Sequence, residues 1–146
     1  MERFGAEFPI RFDFLDTVDG GTLSLQVHPL RAYIAEHFGM AYTQDESYYL
    51  LDAMPDAVVY LGLKEGVDSS QMASDLASAQ AGGAPFPVEA YVNARPVKKH
   101  DHVSIPAGTI YCSGPSAMRE EQHGPRDQRY PVYLHFQALG LGPRGP

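Results

Sequence analysis

The chain has 146 residues, a formal charge of −7 and 44% hydrophobic side chains, the size and composition of one globular domain. Its acidic balance, with no basic cluster, excludes general nucleic-acid binding, which needs a cationic face. Nothing approaches membrane-spanning length, the opening MERFGAEFPIRF lacks the apolar run of a secretory signal, and the single cysteine, Cys112, cannot form an internal disulfide; a reducing, cytoplasmic setting is expected.

Fourteen Gly and twelve Pro, with nine Tyr and seven Phe, favour short strands joined by turns, so a mostly β chain is expected. Pro9 to Phe14 reads as a strand with Ile10, Phe12 and Phe14 on one face, followed by a turn at Asp19-Gly20-Gly21. From Thr22 to Pro29, apolar Leu23, Leu25 and Val27 alternate with Ser24, Gln26 and His28, the period of a half-buried strand, and Pro29 ends it. Leu30 to Phe38 has Leu30, Tyr33, Ile34 and His37 at helical spacing, with Gly39 as the residue after the helix. Glu46 to Ala53 and Ala57 to Leu63 are apolar strands around Met54-Pro55-Asp56 and read as a hairpin. Asp68 and Gln71 resemble a capping box for a helix running to Gln80, stopped by Gly82-Gly83. A short helix is expected over Pro87 to Asn93. Strands are expected over Pro96 to Lys99 and His102 to Ile105, with a turn at Pro106-Ala107-Gly108.

The chemistry is concentrated on the Gln26/His28 strand, because side chains two apart project from the same face and can reach the same atom. A carboxylate at the start of the next strand, Asp45 or Glu46, can face the same cavity. Gln26, His28 and Glu46 then supply an amide, an imidazole and a carboxylate, donors that zinc, iron or manganese accept. The same residues equally suit the hydrogen-bonded polar face of an ordinary strand.

The strings LSLQVHP, DESYYLLDA, VVYLGLKEG and VKKHDHVSIPAGTIYCSG, in this order, resemble the cupin core of the class I (type I) mannose-6-phosphate isomerases, from about Phe8 to Gly114. The resemblance implies an all-β cupin jelly-roll barrel with one or two short helices, and a zinc-dependent interconversion of mannose 6-phosphate and fructose 6-phosphate, a small sugar phosphate being the partner. It implies Gln26, His28 and Glu46 as zinc ligands. The family's fourth ligand is the histidine of a PAGTxH turn, and here that position is Tyr111, a poor zinc donor with an ordinary pKa near 10. His100 and His102 read as turn and strand-edge residues, not replacements. Family members carry a lysine two residues before the ligand glutamate, where this chain has Gln44, which cannot act as a base. Asp45, Glu65, His37 and Lys64 remain as candidate bases, and Arg11, Arg31, Arg95, Lys98 and Lys99 as candidate phosphate contacts, with nothing in the spacing to choose among them. The expected activity is therefore impaired, and a non-catalytic cupin module that binds sugar or regulates, or an inactive fragment, is the alternative.

The resemblance divides the chain into a cupin core, 1–117, and an atypical tail, 118–146. From Gln122 onward, codons can be chosen so that dropping one base yields the string the related proteins carry there, so the tail reads as frameshifted and the chain as a fragment of a longer enzyme. The barrel is expected to be incomplete at this end. Tyr130, Val132, Leu134 and Phe136 alternate well enough for one makeshift strand, and Gly140 to Pro146 should fray.

Overall fold

The structure, a computed structural model, describes residues 10–16, 23–114 and 132–140, the first and last of these stretches by their backbone. Among the described residues eight strands follow in order: β1 (Ile10–Asp16), β2 (Gln26–Val27), β3 (Thr43–Leu50), β4 (Val58–Leu63), β5 (Val92–Pro96), β6 (His102–Ile105), β7 (Ile110–Ser113) and β8 (Val132–Gly140). Three helices are interspersed: α1 (Arg31–Phe38), α2 (Ser69–Gln80) and α3 (Val88–Tyr91). The strands form two antiparallel four-stranded sheets, ordered β1-β8-β3-β6 and β2-β7-β4-β5. Each sheet is open, with β1 and β6 at the edges of the first and β2 and β5 at the edges of the second.

Alternation explains how the sheets meet. On β3 the buried side chains Glu46, Tyr48 and Leu50 are two apart, so they share the face turned to the core, while Ser47 and Tyr49 between them are only partly covered. Tyr48, Leu50 and Ile105 of the first sheet pack with Val59 and Tyr111 of the second, and this cluster joins the two layers. The second sheet is buried on its other face as well. Tyr60 and Cys112 pack with Tyr91 and Val92, and Met72 and Phe86 pack against this group from outside. That covering is anchored by the hydrogen bonds Tyr60 to Glu89 at 2.8 Å and Tyr91 to Asp75 at 2.5 Å. Burial pushes the Cys112 thiol up to about 11, so it stays a protonated, inert side chain of this core.

Local signals account for the helix ends. Asp68 caps α2 by accepting hydrogen bonds from the Ser70 and Gln71 backbone, whereas the Gln71 side chain bonds Asp75 instead of completing a capping box. Gly39 ends α1 at φ 64°, donating its N–H to Ala35. Gly62, at φ 73°, lies where the β4–β5 register shifts between Tyr60 and Leu63, a bulge that suits glycine.

The architecture differs from the sequence expectation at several points. β3 and β4 are not a hairpin: the turn at Met54-Pro55-Asp56 exists, with Ala57 N–H on Met54 O, but it carries the chain from one sheet to the other. Both strands are apolar because each faces the shared core across the layers, not because they pair. Likewise β5 and β6 lie in different sheets, and of the stretch expected as a strand at Pro96 to Lys99 only Pro96 is strand, the end of β5, with Lys99 in the turn that follows. Of the strand expected over Thr22 to Pro29, the described residues from Leu23 on are regular only at Gln26–Val27, and the helix expected to reach Asn93 gives way to β5 at Val92. α1 buries none of its residues, so its helical spacing marks an outer, apolar surface where Tyr33 is 52% and Phe38 65% exposed. The tail supplies the one strand expected of it, β8, which pairs with β1 and with β3 along its length, while both sheets stay open. The turn at Asp19-Gly20-Gly21, Tyr130 and the segment after Gly140 lie outside the described residues.

Candidate functional site

The turn at Pro106-Ala107-Gly108 feeds β7, whose pairing sets Tyr111 opposite Gln26 and Ile110 opposite Val27. His28 follows immediately, and its carbonyl accepts a hydrogen bond from Gly108 N–H at 2.7 Å, which fixes the end of β2 against the turn. β3 enters from the other sheet. Its Thr43 hydroxyl is bonded to the Pro29 carbonyl at 2.5 Å, and its Asp45 carboxylate accepts the Ala107 N–H at 2.9 Å. These two clasps place the first buried side chain of that strand's core face, Glu46, beside His28.

Two of the three ligand candidates, His28 and Glu46, are in direct contact, and the Tyr111 hydroxyl stands between them and Gln26. His28 Nε2 is 2.8 Å from Glu46 Oε1 and 2.9 Å from the Tyr111 hydroxyl. The hydroxyl is hydrogen bonded to Glu46 and lies 3.5 Å from Gln26 Oε1, the outer limit of such a bond. The Gln44 amide donates to the same Glu46 oxygen at 2.5 Å. The side chain of Glu46 is 1% exposed and that of His28 25%, while Gln26 is at the solvent-facing rim. Burial, and then the hydrogen bond to Glu46, push the Tyr111 hydroxyl well above the usual phenol range, so it remains neutral at any physiological pH.

The remaining candidates go elsewhere. Asp45 is occupied by the turn, Lys64 donates to the Glu89 carbonyl, His37 packs on Tyr33 at 4.1 Å between ring centres, and Glu65 is exposed in the turn after β4. His100, at φ 71°, bonds Tyr49 through Nδ1, and His102 is exposed on β6. Lys99 faces Asp52 at 3.9 Å, Arg31, Arg95 and Lys98 are exposed, and Arg11 is on β1. Beside His28 a cleft of about 80 Å³ is walled by Ile34, Met40, Tyr42 and Gln44. Small-molecule pockets run to roughly 300 Å³ and more, so this cleft is smaller than a typical small-molecule site.

The donor set fits a divalent cation in kind but not in full. Amide oxygen, imidazole nitrogen and carboxylate are suitable, yet among the described residues no three of His, Cys, Asp and Glu gather where a metal could be held. The neutral Tyr111 phenol does not supply the fourth donor. Sequence reasoning singled out Tyr111 only as an absence of histidine. It missed that the hydroxyl is bonded to the other members, and it missed that Gln44 braces Glu46, which its place two residues before Glu46 hinted at.

No family model matches the chain. Among curated proteins it is similar to the mannose-6-phosphate isomerase of Streptococcus mutans, 29% identical over 126 residues that make up 86% of this chain and 36% of that one. Among solved structures it is similar to the mannose 6-phosphate isomerase of Bacillus subtilis, with a TM-score of 0.61 and 18% identity over 92% of this chain and 35% of that one. It is also similar to a protein of Archaeoglobus fulgidus described as a candidate mannosephosphate isomerase, with a TM-score of 0.64 and 17% identity over 94% of this chain and 37% of that one. The chain thus shares their fold and spans about a third of their length. Among the described residues no helix is long and apolar enough to cross a membrane.

Proposed function

We propose that this chain is the cupin jelly-roll core of a sugar-phosphate isomerase of the mannose-6-phosphate type, with its chemistry impaired. The observation that carries this reading is the contact of His28 with Glu46, drawn from two sheets, with Gln26 joined to them through the Tyr111 hydroxyl and a small cleft beside His28. The strand orders β1-β8-β3-β6 and β2-β7-β4-β5 suit a jelly roll, and the similarity to isomerases in sequence and fold supports the substrate class.

Gln26, His28 and Glu46 are the residues that would hold a zinc ion. Such a cation supplies an electrophile for the oxyanion that forms when a proton moves between adjacent sugar carbons. The chain's own residues do the rest. Ile34, Met40 and Tyr42 give the cleft an apolar wall that limits water beside His28. Gln44 holds Glu46 in orientation but offers no basic atom, so proton transfer lacks a base at that position. Two residues therefore account for the impairment, Tyr111 at the fourth donor position and Gln44 at the base position.

A coupled assay converting mannose 6-phosphate to fructose 6-phosphate in the presence of zinc tests this. The wild-type chain is expected to stay near background, Tyr111→His to show measurable turnover, and Tyr111→His with Gln44→Lys to exceed it. Turnover absent from all three, with the proteins folded by circular dichroism, would favour a non-catalytic sugar-binding or regulatory module.

A further inference from the structure

We infer that the Tyr111 hydroxyl has taken the place of the cation, turning a metal centre into a self-sufficient hydrogen-bonded cluster that excludes zinc and keeps the two sheets joined without it. The inference rests on the reading of Gln26, His28 and Glu46 as a metal site.

Two donors that share one tetrahedral zinc ion, at roughly 2.0–2.2 Å from each, stand about 3.4 Å from one another. His28 Nε2 and Glu46 Oε1 are 2.8 Å apart, too close to have a cation between them and right for a direct hydrogen bond. The Tyr111 oxygen is 2.9 Å from His28, bonded to Glu46 and 3.5 Å from Gln26 Oε1, so it already lies beside all three donors. Its ring is 2% exposed and packs edge-on to Tyr48 at 6.1 Å, within the cluster of Tyr48, Leu50, Val59 and Ile105 that joins the sheets. Swinging the hydroxyl aside to admit an ion would mean moving a fully packed ring. A cation would have to break each of these contacts, whereas water-exchanged zinc gains only three donors in return.

Disturbing even an outer partner of a metal ligand costs about 10–100-fold in affinity, so changing the fourth donor itself should matter at least as much. The test is equilibrium dialysis of the full chain against zinc chloride, with the melting temperature followed with and without zinc and with and without EDTA. The wild type is expected to bind no zinc above background and to melt at one temperature in all conditions. Tyr111→His, and as a smaller second variant Tyr111→Cys, are expected to bind zinc near-stoichiometrically, at least about a hundredfold more tightly than the wild type, and to melt higher with zinc than with EDTA. Stoichiometric zinc on the wild type overturns the inference and leaves the metal reading standing. Absence of zinc from both variants, when at least one is folded, overturns the metal reading and the inference together.

Discussion

Replacing Leu50 by alanine is expected to destabilise the fold by about 3 kcal/mol, the middle of the range for a large aliphatic side chain removed from a packed core. Leu50 is fully buried at the end of β3 and packs with Tyr48, Val59, Ile105 and Tyr111, so its loss opens a void that touches both sheets. The strand cannot collapse into that void, because Leu50 is clamped by its own backbone: its N–H bonds Asp101 O and its carbonyl accepts the His100 N–H at 2.7 Å. Against a total of roughly 5–15 kcal/mol for a domain, this is a large share. Urea unfolding of Leu50→Ala beside Leu63→Ala, a residue 49% exposed, measures it. The control is expected to shift stability by no more than about 0.5 kcal/mol. Equal effects for the two would mean that the sheets do not meet at Leu50.

The second large effect is expected at Glu46, where alanine should cost about 2–3 kcal/mol, because a charged acceptor of several hydrogen bonds disappears from a buried position. His28, Gln44 and Tyr111 each lose a partner, and the Tyr111 hydroxyl is the most deeply buried donor among them. Glu46→Gln should recover part of the loss, since its amide oxygen still accepts one bond. The decisive comparison is a double-mutant cycle. In a Tyr111→Phe background no hydroxyl is left stranded, so Glu46→Ala is expected to cost about 1 kcal/mol less than in the wild type. Strict additivity would show that the two side chains do not interact.

Much of this was readable in the chain before any coordinates. The alternation of Leu23, Leu25 and Val27 with Gln26 and His28 places two polar side chains beside each other, and Glu46 shares a core face with Tyr48 and Leu50 on a strand that begins three residues before the expected start, at Thr43. What failed was pairing. A turn such as Met54-Pro55-Asp56 has the same residues whether the strands on either side pair or pass to opposite sheets, and periodicity records which face is buried, not against what. The helix α1 and its Gly39 terminator were legible in the spacing of Leu30, Tyr33 and Ile34; what spacing does not show is that the helix flanks the cleft from outside, with no residue buried. The tail was anticipated in part. Val132, Leu134 and Phe136 have the period of a strand, and β8 indeed inserts between β1 and β3. Least readable was the role of Tyr111. Sequence can show that a phenol replaces an imidazole, but whether its hydroxyl turns toward or away from the facing donors depends on side-chain packing between two sheets.

The central claim, that Gln26, His28 and Glu46 surround one point which Tyr111 occupies, is tested most directly by crystallography at the zinc absorption edge on zinc-soaked crystals of the wild type and of Tyr111→His. The account predicts a Tyr111 hydroxyl within hydrogen-bonding distance of His28 and Glu46 and no anomalous peak there in the wild type. In the variant it predicts a single peak bonded by Gln26, His28, Glu46 and the new imidazole. Side chains of Gln26, His28 and Glu46 turned away from one another in both crystals would contradict it.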